Sequence, residues 1–136
     1  MRPDSLREAV EQHLASGLPL YHSVSEFLDE FYTRPAERQR MVDEEPGLIG
    51  DAREDAYVGA VGEHLALRWG LCVPEWVHDP RRFLHDPWYV GDVGPALAAF
   101  LLMESPMAFR RRLIFTEAEP LRRARFPWRE LGLDPV

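Results

Sequence analysis

The chain has 136 residues, 46% hydrophobic and 29% charged, the make-up of one globular domain with its own core. A net charge of −7 argues against general nucleic-acid binding, since phosphate contacts supply most non-specific affinity. Cys72 is the single cysteine, so no internal disulfide can form, and the longest apolar run, Ala96 to Met103, is far short of the ~20 residues that span a bilayer. With no apolar leader at the start, the expected location is the cytoplasm.

Helix starts recur along the chain with capping chemistry. Ser5 with Glu8 forms a capping box for a first helix to about Ser16, where Leu6, Val10 and Leu14 share a face before Gly17 and Pro19 stop it. Ser23 with Glu26 repeats the box for a short helix burying Phe27, Leu28 and Phe31. Pro35 suits a first helical position and opens a polar helix through about Glu44, ended by Pro46 and Gly47.

The strongest element runs from Asp51 to Trp69, capped by Asp51 and closed by Gly70 in the left-handed conformation. Its Gly59 and Gly62 each cost about 1 kcal/mol against Ala, so close approach of a second helix is the reason expected for them. Cys72 to Val93 is dense in Pro, Trp and His and reads as an ordered loop with one-turn helices, Trp76 and Trp88 belonging to the core. Ala96 to Glu104 is apolar almost all round, the pattern of a buried central helix. Ser105 and Pro106 restart a helix, Thr116 with Glu119 makes another capping box, and Phe126, Trp128 and Leu131 close the chain. No window alternates as a strand does. The expected fold is all-α: residues 1–136 as a single-domain bundle of about six to seven helices with an ordered Pro/Trp-rich loop.

All 16 basic residues are Arg. Residues 1–104 hold 9 Arg against 19 acids, a charge of −10, and residues 105–136 hold 7 against 4, a charge of +3. Such segregation lets the basic end dock on its own acidic body or meet an external anion, with Arg110, Arg111, Arg112, Arg122 and Arg123 as the candidate anion-binding residues. Three consecutive arginines on a helix point in three directions, so at most two serve one flat surface. Asp43, Glu44 and Glu45 are the candidate contacts for a basic partner.

Glu63, His64, His78 and His85 are residue types that ligate zinc, but their spacing matches no standard zinc pattern. Asp79-Pro80 and Asp86-Pro87 explain the histidine neighbourhoods as helix starts, so no metal and no cofactor is expected. Cys72 follows a helix C-terminus, whose dipole disfavours a thiolate, and Ser105 reads as a cap, so neither suggests a nucleophile.

From Glu63 to Arg112, a helix end at Leu65, Trp69 and Gly70 is followed by Pro74, Trp76, Asp79-Pro80, Phe83-Leu84, Pro87-Trp88 and Glu104-Ser105-Pro106 with Ala108 to Arg112. This stretch resembles an uncharacterised bacterial all-helical domain, found alone or as the C-terminal half of helix-turn-helix regulators of the antitoxin type. The resemblance implies no enzymatic residues. Residues 1–50 carry 5 Arg against 10 acids and no recognition helix, so they depart from such a regulator. The function expected is a non-enzymatic protein-interaction module, antitoxin-like or regulatory, with another protein as partner. The alternatives are an anionic-ligand or nucleic-acid site on the Arg-rich C-terminal segment and a metal-dependent enzyme.

Overall fold

The computed structural model describes residues 1–132. They are mostly helical, and no helix among them is long and apolar enough to cross a membrane. In α1 (Leu6–Ser16) the Ser5 hydroxyl accepts from the Glu8 amide at 3.1 Å, and Gly17, at φ 73°, returns its amide to the His13 carbonyl. Leu6 and Val10 enter the core while Leu14 is exposed.

The second helix, α2 (Leu20–Thr33), starts three residues before the expected Ser23–Glu26 box. An apolar stripe from Leu20 through Val24, Phe27, Leu28 and Phe31 defines its buried face, and that periodicity overrides the cap. Ser23 lies buried inside the helix, and its hydroxyl has no hydrogen-bond partner among the described residues. A 3-10 turn over Pro35–Glu37 then leads into α3 (Arg38–Asp43), with proline at its first position.

The long helix α4 (Ala52–Arg68) is built as its sequence directs. Asp51 caps the Glu54 amide at 3.0 Å, Gly70 takes φ 70°, and the Leu71 amide reaches back to the Ala66 carbonyl at 2.8 Å. What approaches its two glycines is not a second helix. A methyl group at Gly62 would lie 2.5 Å from the Trp76 ring, and one at Gly59 would lie 2.9 Å from Arg112 Nε and 3.0 Å from Arg82 Cβ.

His64, on the same helix, is buried edge-on to Phe109, and burial pulls its pKa down from 6.5 to about 4. The unfolded chain therefore binds this proton more readily than the folded one. Stability from this group is complete above about pH 6.5 and is lost as pH falls toward 4, by up to about 3 kcal/mol. Urea unfolding at neutral and mildly acid pH should show that loss, and His64→Leu should shrink it; an unchanged slope in the variant would disprove it.

Between residues 72 and 93 lie 3-10 turns at Glu75–His78 and Pro80–Arg82, then a strand, β1 (Trp88–Tyr89). Asp79 caps the second turn through the Arg81 amide at 2.9 Å. Asp86-Pro87, by contrast, leads into β1 rather than a helix. Trp76 is buried, with its indole N–H on the Val42 carbonyl at 2.9 Å, whereas Trp88 is only half-buried at the core edge.

The expectation of no sheet is corrected by β1 and β2 (Ile114–Phe115), which pair in parallel as Trp88 with Ile114 and Tyr89 with Phe115. Two-residue strands are too short to alternate, and stacking of Tyr89 on Phe115, with centroids 4.9 Å apart, adds to the ladder. Before β2 the chain forms α5 (Pro95–Glu104) and the short α6 (Met107–Arg110), then turns at Leu113 with φ 64°. Ser105 does not cap α6. Its hydroxyl donates to the Leu101 carbonyl at 2.6 Å, with the Thr116 carbonyl 3.1 Å away, and accepts from the Thr116 amide, joining α5 to the end of β2.

Thr116 and Glu119 open no helix. The segment after β2 is non-helical up to a 3-10 turn at Trp128–Leu131 and is held by polar ties. Tyr32 donates to the Leu121 carbonyl at 2.6 Å, Arg68 pairs with Glu119, Arg123 with Asp29, and buried Arg38 with Glu130. In two of these ion pairs the body supplies the cation and the C-terminal segment the carboxylate, the reverse of what the net charges suggest.

Candidate functional site: an exposed apolar helix and an adjoining cavity

Arg111 and Arg112 converge on one carboxylate. Glu63 accepts from Arg111 Nε at 2.8 Å and from Arg112 Nη1 at 2.5 Å. Arg112 is fully buried and also donates to the Ala108 and Val77 carbonyls, with Phe83 beneath its guanidinium. Burial opposes ionisation of Glu63, but the hydrogen bonds from Arg112 and Arg111 outweigh it and hold the carboxyl below its ordinary pKa. Arg110 turns the other way, onto the Met103 and Ser105 carbonyls at the end of α5.

Arg123 is engaged with Asp29, whose carboxyl it holds below the usual value, and Arg122 lies 3.9 Å from Glu117. The candidate anion-binding arginines are thus occupied largely by groups of their own chain. Asp43 accepts from Gln39 at 2.8 Å, Glu44 lies 3.7 Å from Arg40, and Glu45 is exposed; Gln39 also donates to the carbonyl of exposed Cys72.

Glu63 is committed to two arginines, Arg111 approaches His78 at 3.0 Å, and His64 packs on Phe109. Among the described residues no group of three or more His, Cys, Asp or Glu side chains is placed to hold a metal ion.

The helix read as buried and central is the most exposed apolar element of the fold. In α5 only Leu101 is buried, against β2, while Phe100 is 55% and Met103 79% exposed, with Leu97 and Leu102 open as well. An all-round apolar sequence carries no periodicity to say which face is covered, and here little of it is. Just beyond, Met107 extends the apolar surface. Acidic Asp92 and Glu104 flank the helix, and Glu117 lines the groove between α5 and the segment after β2.

Next to that groove is a cavity of about 490 Å³. Its floor is the buried set Leu20, Phe109 and Ile114, and its walls include Trp88, Tyr21 and Tyr57. Glu54 is the only carboxylate among the described lining residues, and no Arg, Lys or His is among them. One Glu54 oxygen lies 3.2 Å from His13 Nε2, whose Nδ1 is 2.6 Å from the Leu18 carbonyl. Burial alone pushes the Tyr57 phenol up to about 12, so it stays a neutral donor. The lining is drawn from four stretches far apart in sequence, so no local motif could have disclosed it.

Comparison with protein-family models, curated proteins and solved structures finds no match.

Proposed function

We propose that the protein is a non-enzymatic protein-interaction module that presents α5 to a basic partner, an antitoxin-like or regulatory role of the kind the resemblance over residues 63–112 implies. The observation that carries this reading is the exposure of Leu97, Phe100, Leu102 and Met103 on one short helix. Contiguous apolar surface of this kind is uncommon on a protein without a partner. Aromatic and Met side chains are also the types enriched at interface cores.

The balance of charge around the helix favours one class of partner. The helix lies in the part of the chain whose net charge is −10; Asp92 and Glu104 flank it and Glu117 lines its groove, while Arg110 reaches the Met103 carbonyl at its end and Arg122 lies 3.9 Å from Glu117. A basic rim around an apolar ridge complements it, whereas a second copy would bring like charges together. A membrane surface is disfavoured for the same reason, since surface-seeking helices carry Lys and Arg on their polar side.

The test is a photo-crosslinking residue in place of Phe100, used in the producing cell and compared with one at exposed Tyr21. A specific adduct with a basic protein is expected at 100. It should fall at least tenfold on adding Leu97→Glu with Met103→Glu, while stability changes by only about 0.5 kcal/mol because both sites are exposed. Adducts with lipid, with a second copy, or equal at the two positions would reject the reading.

A further inference from the structure

We propose that the cavity between α2, α4 and the β1–β2 ladder is a binding site for a small organic cation, an alkylammonium group carried on an aromatic or aliphatic body. This goes beyond the α5 interaction and does not depend on it. The volume, about 490 Å³, lies in the range of small-molecule pockets. Leu20, Phe109 and Ile114 are already buried at its base, so an apolar body entering there displaces water from a preformed surface.

The charge preference comes from the walls. Glu54 supplies a carboxylate, and no basic side chain lines the cavity among the described residues. His13 Nε2 lies 3.2 Å from one Glu54 oxygen, so an ammonium ligand would share this carboxylate with His13 through its second oxygen. Tyr21, Tyr57 and Trp88 present aromatic rings around the same space, the arrangement that attracts ammonium groups through the ring quadrupole. Trp88 already engages a cation, with the Arg53 guanidinium 5.1 Å from its ring centroid. Tyr57 lines the same space, and its neutral phenol can donate to a polar atom on the ligand.

Calorimetric titration of the full chain with phenylbutylamine, phenylbutanol and phenylbutyrate tests this, because the three share one apolar body and differ in charge. The amine is expected to bind at least about tenfold more tightly than the alcohol, and the carboxylate not measurably. Glu54→Gln should erase the preference for the amine while leaving alcohol binding within about twofold, and Tyr57→Phe should weaken the alcohol about twofold to tenfold. The wild-type comparison needs no variant to fold. Equal affinity for amine and alcohol, preference for the carboxylate, no binding of any of the three, or a preference surviving in a folded Glu54→Gln variant would overturn the proposal.

Discussion

Glu63→Gln is expected to cost about 3–5 kcal/mol of folding stability, the range for removing one partner of a buried ion pair. Arg112 is fully buried, and among the described residues its Nε has no partner and its only carboxylate within salt-bridge distance is Glu63. The neutral amide would leave that guanidinium charged in a poorly solvated place, since arginine does not surrender its proton at accessible pH. Arg111, about a third exposed, can turn to solvent and so contributes little to the loss. Replacing both sides at once, Glu63→Leu with Arg112→Met, removes the charges together and should recover most of the loss. Urea unfolding with a double-mutant cycle measures both effects. A single-variant cost under about 1 kcal/mol would show that water or another group already compensates Arg112.

Trp76→Ala should cost a similar amount, about 3–5 kcal/mol, as deletion of a buried large aromatic does. The ring lies against the glycine face of α4 at Gly62, its N–H satisfies the Val42 carbonyl, and the Arg82 guanidinium stacks on it at 4.9 Å. Truncation would open a cavity, orphan a buried carbonyl and strip Arg82, already desolvated, of its aromatic partner. The opposite change probes the same contact, because the methyl of Gly62→Ala would collide with the ring and should cost about 1–3 kcal/mol by overpacking. Denaturant midpoints for both variants decide it. A near-neutral Gly62→Ala would mean that Trp76 moves freely, contradicting its anchoring role.

Local signals were legible wherever they were complete in themselves. The Ser5 and Asp51 caps, the helix stop at Gly17 and the left-handed Gly70 each depend on a few neighbouring residues, and each is realised, whereas the small-residue face of α4 receives Trp76, Arg82 and Arg112 rather than a second helix. The capping patterns at Ser23 and Thr116 were equally good as strings but lost to longer-range demands. At Ser23 the core stripe beginning at Leu20 took the backbone into helix earlier, and at Thr116 the backbone was claimed by the Ser105 hydroxyl.

Exposure of α5 was illegible because an apolar sequence reports propensity for burial, not whether the fold supplies a cover. The β1–β2 ladder and the cavity join residues far apart in the chain, and the commitment of Arg112 to Glu63 spans 49 positions. Regional charge totals also misled in part, since Arg38 and Arg68 of the body hold carboxylates of the C-terminal segment.

The chain leaves the body after Val90, whose amide is bonded to the Phe115 carbonyl at 3.0 Å, and returns at Ser105, whose hydroxyl is bonded to Thr116. Exit and return are therefore fastened to adjacent residues of one stretch, and α5 hangs from them with Leu101 as its only buried side chain. Residues 91–104 thus form a cassette. Substitutions at its exposed side chains should therefore leave the register of the core beneath it unchanged. The surface on display can thus be altered apart from the scaffold that carries it.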